Sequence, residues 1–355
     1  MRVGSKMTEA GLYVHVPFCK SKCGYCGFYS REIDTIGNIS TELYKSYMSA
    51  VVRNLLPYVD SHLKFGTVFF GGGTPSLLYR EVAEVVAFLR ERGSLTADCE
   101  ITAEANPDDV DERMLAVLRE AGVNRLSLGV QSLDDSVLRY LGRRHDSRRA
   151  ISAVESAHKA GFRVSLDIML GIPGQKGLDA VHELPTEHIS AYMFESERSL
   201  PEEETAKLYE QTVEELNVHG LSQYEISNFA IPGCECLHNL KYWNCEEYVG
   251  IGPAAHSYYA GKRFAVREDV ESFINSPLQE TYVTEENPGG FEERMMLKLR
   301  LNSGVCIDDC TSREWETLLQ RAEPFSGEYV VINQENLSLT TKGFLVANRL
   351  IGELL

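Results

Sequence analysis

Basic residues are scarce in this chain of 355 residues. Lys and Arg number 35 against 52 Asp and Glu, a net charge of −17. A phosphate backbone selects basic surfaces, so nucleic acid is excluded as a main partner and an anionic membrane is at most a peripheral contact. No window approaches about 18 uninterrupted apolar residues, so no transmembrane helix is expected. Met1 to Ala10 contain no apolar core like that of a signal peptide, which makes the reducing cytoplasm the expected compartment. Internal repeats and low-complexity tracts are missing. Hydrophobic residues at 43% and charged residues at 25% exclude a disordered or fibrous protein. A chain of this length builds its core without disulfide staples. The nine cysteines are an odd number, and three of them crowd into eight residues.

What is present is an alternation. Strand-like runs at Leu12 to Val16, Thr67 to Phe70, Glu100 to Glu104, Arg125 to Val130, Arg163 to Leu170 and Ile189 to Phe194 are separated by amphipathic stretches. Among the latter, Glu81 to Arg90 carries Val82, Val85, Val86 and Leu89 on one helical face. Six strand–helix alternations predict an α/β fold with a parallel sheet, either open and doubly wound or a partial barrel, short of the eight units of a closed one. After about Ser196 the pattern changes to an acidic helix and then an aromatic, Cys- and His-containing segment, Tyr224 to Tyr259. The remainder reads as helix, helix, hairpin, helix, a small winged-helix-like α+β module. The expected division is residues 1–265 and 275–355, with residues 224–260 an extension of the first unit.

Cys19, Cys23 and Cys26 are spaced C-x3-C-x2-C on a loop directly after a strand. Three thiolates on one short loop suit three irons of a 4Fe–4S cluster, whereas structural zinc prefers four ligands. No neighbouring fourth cysteine exists, which leaves one iron open. The Gly71-Gly72-Gly73-Thr74-Pro75-Ser76 turn lies between a strand and a helix and lacks the Lys of a P-loop. It allows a ligand to approach backbone, or is simply a tight turn.

The stretch Leu12 to Ser30 resembles the entry motif of the radical S-adenosylmethionine (SAM) superfamily. More narrowly, it is similar to the branch holding oxygen-independent coproporphyrinogen III oxidase and its haem-chaperone relatives. The resemblance spans roughly residues 11 to 355. It implies a partial (β/α)6 TIM-type barrel, and a 4Fe–4S cluster held by Cys19, Cys23 and Cys26 with SAM on the open iron. It places Tyr13 and Tyr25 against the cluster and adenine. It assigns Gly72, Gly73 and Thr74 to the SAM amino group, Glu104, Gln131 and Asp167 to SAM recognition, and Arg143 to the SAM carboxylate. The catalytic residues are unknown. The stretches after Gln175 and Glu197 are shorter than the resemblance implies, which puts the barrel's fifth helix in doubt.

His238 to Trp243 reads His-Asn-x-x-Tyr-Trp and resembles the signature linked to haem in the chaperone members. A neutral imidazole can ligate haem iron and two aromatics can flank a macrocycle, which nominates His238, Tyr242 and Trp243. The alternative is a loop in which His238 caps a helix and the aromatics pack a seam. Cys234 and Cys236 are either further iron ligands or inert, and the family more often has His at the position of Cys234. His256 is a second polar candidate, and Cys99, Cys245, Cys306 and Cys310 are expected to pack as small hydrophobes. The oxidase type carries a fourth Cys two residues beyond the third, and here that position is Phe28. The oxidase type also has a longer N-terminal extension. The resemblance therefore implies a haem chaperone rather than an oxidase or a radical methyltransferase. Its expected partners are haem or a porphyrin, haem-accepting proteins and an electron donor such as flavodoxin or ferredoxin; a homodimer is compatible.

Overall fold

A computed structural model describes residues 9–33, 38–175, 178, 180–194 and 200–355. Six parallel strands form the centre of the molecule: β1 (Glu9–Val16), β2 (Lys64–Gly72), β3 (Leu95–Ala105), β4 (Arg125–Gln131), β5 (Arg163–Leu170) and β6 (His188–Met193). Helices α1 (Asn38–Asp60), α2 (Tyr79–Glu91), α3 (Glu112–Ala121), α4 (Asp135–Tyr140) and α5 (Ser147–Lys159) fall between them. No α-helix joins β5 to β6 among the described residues; the crossover there is a 3-10 turn, Val181–Glu183. The doubt over the fifth helix is thus met by a turn, while residues 176, 177, 179 and 195–199 lie outside the described residues.

The strands alternate, and the alternation separates two environments. Leu12 and Val14, Val68 and Phe70, Ile101 and Ala103, Leu126 and Leu128, Leu166 and Ile168, and Ile189 and Ala191 all join the hydrophobic core. Val82, Val85, Val86 and Leu89 of α2 meet them there, as the periodicity predicts. The intervening positions carry Tyr13, Thr67, Glu100, Glu104, Arg125, Ser127, Ser165, Asp167, His188 and Ser190. Period-2 geometry sends these to the opposite face of the sheet, the inside of the barrel. Contacts between them agree: Ser127 donates to Asp167 at 3.1 Å, and the Ser165 hydroxyl bonds the His188 ring at 2.8 Å. The barrel interior is therefore a polar surface, and the apolar core lies between sheet and helices.

The sheet continues beyond six strands. After α6 (Glu202–Val218) come β7 (Ser222–Gln223) and β8 (Asn228–Ala230); β8 adds antiparallel to β6, and β7 pairs antiparallel with β8 at the edge. The chain crosses the barrel as α7 (Leu237–Trp243) and inserts β9 (Tyr248–Ile251) parallel to β1 on the side away from β2. Strands β10 (His256–Tyr259), β11 (Lys262–Val266) and β12 (Thr281–Glu285) follow in antiparallel order, giving twelve strands in one sheet. This sheet runs past residue 265 to Glu285.

The C-terminal part holds α8 (Phe291–Lys298), α9 (Ser312–Ala322), a hairpin of Val330–Ile332 with Asn336–Leu339, and two short helices, Thr341–Leu345 and Ala347–Leu354. Val305–Cys306 adds a third strand to the hairpin. The final helix expected after the hairpin breaks at Val346, whose φ and ψ of −115° and 19° are not helical. Capping marks its start, where the Thr340 hydroxyl accepts from the Gly343 amide at 3.0 Å.

Candidate functional site

The cysteine loop leaves the C-terminal end of β1. A two-rung parallel ladder between Phe18–Cys19 and Arg31–Glu32 closes its base. The buried His15 ring ties the far end down by bonding the Tyr29 carbonyl at 2.7 Å. Burial pushes the His15 pKa below its ordinary value, so this anchor stays neutral. Inside the loop, the Cys26 amide donates to the Cys23 carbonyl at 3.1 Å. Burial pushes the Cys19 thiol up, and the Cys26 and Cys23 sulfurs close by add to the rise. Cys19 is buried; Cys23 and Cys26 are partly exposed.

The donor set decides which metal fits. Among the described residues no three His, Cys, Asp or Glu side chains close around a single-ion position. A mononuclear zinc site would need them to. Three thiols spaced along one anchored loop suit a polynuclear iron–sulfur cluster.

The turn after β2 sits beside the loop. Gly72 has φ of +109°, and a Cβ there would fall 2.5 Å from the His15 ring. A Cβ on Gly73 would fall 2.7 Å from the carbonyl oxygens of Val16 and Phe18. Both positions require glycine, and together they form a tight cradle against His15 and β1, in which the Gly73 amide donates to the Val16 carbonyl at 2.7 Å. The buried Thr74 hydroxyl lies 3.5 Å from the Cys19 sulfur.

Strand ends β3 to β5 complete the wall. Glu104 accepts from the Gly72 amide at 3.1 Å. Burial, with the Asp167 carboxylate adding repulsion, pushes its pKa up to about 8. The Asp167 pKa also rises, mainly through burial. Gln131 has φ of +66°, an unusual conformation for a non-glycine, where the β4–β5 register shifts. Arg143 reaches from beyond α4 toward the cysteine loop. Its guanidinium donates to Asn106 Oδ1 at 2.5 Å and the Gly129 carbonyl at 2.7 Å, and lies 3.5 Å from the Cys23 sulfur and 3.4 Å from the Tyr25 hydroxyl. Its buried Nε has no partner. That unspent donor, the glycine cradle and the three thiols fit a cluster with an anionic amino-acid ligand beside it. Asn106 escaped the sequence reading. It links Thr74 (Nδ2 to Oγ1, 3.2 Å) to Arg143, and its signal is an amide at a strand end in Ala105-Asn106-Pro107.

The aromatic segment sits at the other end of the barrel. Tyr13 points inward, bonds His15 Nδ1 at 3.0 Å and stacks 6.2 Å from Phe69 and 6.3 Å from His238. His238 opens α7 and is 1% exposed. Its Nδ1 bonds Thr67 Oγ1 at 2.8 Å, its Nε2 bonds the Tyr242 hydroxyl at 2.7 Å, and its amide donates to Glu100 at 3.3 Å. Burial, with Lys241 and Arg125 nearby, pulls its pKa down to about 3. Glu100 also pairs with Arg163 at 3.0 Å and lies 3.8 Å from the fully buried Cys236 sulfur. Tyr224 bonds His188 at 2.8 Å and accepts from the Cys236 amide at 3.3 Å. These contacts join the N-terminal halves of β2, β3, β5 and β6 to residues 224–243, which form a floor.

Both ring nitrogens of His238 are thus bonded inside the protein. Tyr242 is half-buried, with its hydroxyl bonded to His238. Trp243 lies at the end of α7, with the Arg300 guanidinium 5.8 Å from its ring. Cys234 is half-buried, while Cys236 is part of the floor. His256 is exposed at the start of β10, away from the other candidates. Cys99 is buried; Cys245, Cys306 and Cys310 are only half-buried.

A six-stranded parallel partial barrel, with three cysteines after its first strand and a glycine cradle after its second, defines a radical SAM protein. The Radical SAM superfamily profile matches residues 13–182. The chain is 34% identical over 326 residues to the heme chaperone HemW of Bacillus subtilis, covering 82% of this chain and 84% of that protein. It is 32% identical over 377 residues to the heme chaperone HemW of Mycobacterium tuberculosis, covering 97% and 94%. In fold it is similar to the coproporphyrinogen III oxidase HemN of Escherichia coli, a radical SAM enzyme: TM-score 0.81, 19% identity, 98% of this chain and 90% of that one. The chain belongs to the radical SAM superfamily and, within it, to the HemW family.

Proposed function

We propose that the protein is a haem chaperone that binds haem and passes it to haem-requiring acceptor proteins. The observation that carries this reading is the identity to haem chaperones along nearly the whole chain. Cys19, Cys23 and Cys26 would hold a 4Fe–4S cluster, and Gly72, Gly73 and Thr74 would hold the amino group of SAM, with Arg143 for its carboxylate. Such a cluster, when bound, supplies one electron at low potential. The chain's own residues do the rest. His15 and the Phe18–Arg31 ladder hold the loop, Tyr25 covers it, and Glu104, Gln131 and Asp167 line the wall facing SAM. Phe28 is 66% exposed and carries no thiol at the position where the oxidase type has its fourth cysteine. An electron donor of the flavodoxin or ferredoxin class and a haem-accepting protein complete the reading.

Anaerobically reconstituted protein titrated with haem tests it. A stoichiometric Soret band, and loss of that band on adding an apo-acceptor, is the expected result. Absence of any Soret band, together with conversion of coproporphyrinogen III to protoporphyrinogen IX, would replace the chaperone reading with the oxidase one.

A further inference from the structure

The His-Asn-x-x-Tyr-Trp segment holds its histidine in a way an iron ligand would not be held. His238 and Tyr242 stand four residues apart on α7, so they face the same side of the helix. The ring between them and β2 is bonded at both nitrogens, to Thr67 at 2.8 Å and to Tyr242 at 2.7 Å. Phe69 stacks on it at 5.3 Å and Tyr13 at 6.3 Å. Gly11 of β1 admits the ring: a Cβ there would lie 3.1 Å from Thr67 Oγ1 and 3.2 Å from His238 Cε1. To offer a nitrogen to iron, the ring would have to leave this slot. It would also leave the Thr67 and Tyr242 hydroxyls without their partner in the interior.

We infer that His238 is a positioning residue: it carries a hydrogen-bond relay from Thr67 to the Tyr242 hydroxyl, fixes that hydroxyl on the barrel floor, and does not ligate haem iron. The inference rests on the haem-chaperone reading and deepens it. A neutral imidazole has one donor and one acceptor nitrogen, so the relay has a direction. In either tautomer one bonding position of the Tyr242 oxygen stays open. Tyr242 lies within electrostatic reach of Tyr13 and Glu104, two inward-facing groups of the barrel. Tyr242 is thus the member of the motif that presents a polar atom to the barrel interior, and His238 sets where that atom points.

The test is a haem titration of the full-length reconstituted protein, read by absorption and by electron paramagnetic resonance. Wild type, His238→Gln, His238→Gly, His238→Ala, Tyr242→Phe and the Ala/Phe double variant are compared. The relay predicts that His238→Gln keeps the wild-type Soret position and spin state, and that free imidazole does not change His238→Gly. It also predicts that His238→Ala and Tyr242→Phe each weaken haem affinity about tenfold, and the double variant no further. A changed Soret band in His238→Gln that imidazole restores in His238→Gly would overturn it by making the imidazole the ligand. Unchanged affinity in Tyr242→Phe would overturn it as well. If His238→Ala does not fold, His238→Gln and Tyr242→Phe carry the comparison. A wild-type protein without any Soret band sinks the chaperone reading instead. The relay is then judged on unfolding midpoints, where equal and non-additive losses in His238→Ala and Tyr242→Phe support it and additive losses refute it.

Discussion

The two ends of the barrel contrast in how their polar groups are used. At the cysteine end Cys23 and Cys26 are partly exposed, Arg143 Nε has no partner, and Gly72 and Gly73 let the turn lie against His15 and the β1 backbone. At the floor, Thr67, Glu100, His188, Cys236 and His238 are buried and are bonded to one another and to the half-buried Tyr224 and Tyr242. The first end stands partly open around its thiols; the second is packed and cross-bonded. One end is built to receive and the other to close.

The sharpest way to break this contrast is at the open end. Cys23→Ala is expected to abolish the iron–sulfur absorbance of the reconstituted protein while moving the apo-protein's unfolding midpoint little. A large loss of apo stability would show that the loop cysteines also serve packing. At the floor the expectation reverses. Glu100→Ala strips the partner from Arg163 and from the His238 amide, and is expected to cost about 3 kcal/mol, discounted for the partial exposure of Arg163. Denaturant unfolding measures it, and a loss under about 1 kcal/mol would show the floor to be loosely held.

Between these lies Gly73→Ala, whose Cβ would press on the Val16 and Phe18 carbonyls. Overpacking of this kind costs roughly 1–3 kcal/mol, and SAM affinity measured by calorimetry should fall at least tenfold. Unaltered SAM affinity would remove the cradle from the SAM site. A pH dependence sharpens the comparison further. Glu104 is raised in the fold to about 8 from an ordinary 4.5. Its contribution is complete below about 4.5 and is lost as pH rises toward 8, because the unfolded carboxyl ionises first. Wild type should therefore lose stability relative to Glu104→Gln across that window, by an amount on the order of a few kcal/mol. A difference that stays flat with pH would place the Glu104 carboxyl in solvent.

Much of the open end was legible in the sequence, because its parts are local. Cys19, Cys23 and Cys26 fall within eight residues, and Gly71 to Ser76 are contiguous. The six alternations also showed, since strand and helix periods differ. The floor was not legible. His238 reads as a free ligand until Thr67, 171 positions away, is known to sit beside it. Glu100 and Arg125 look like ordinary surface charges in an acidic chain, yet both are buried inside the barrel. Strand β9 gave no signal, being four residues long and paired with a strand at the far end of the chain.

That last pairing bears on how the protein is made. Strand β1 is an interior strand with two partners, and one of them, Tyr248–Ile251, leaves the ribosome long after β1 does. Roughly 240 residues separate them, so at ~5–20 residues per second the nascent barrel spends on the order of ten to fifty seconds with one flank of β1 bare. The floor belongs to the same late stretch of chain. For that interval the cysteine loop and its glycine cradle are already synthesised while the lower mouth stands open, and a chaperone holding nascent chains would meet an unpaired strand edge at β1 first.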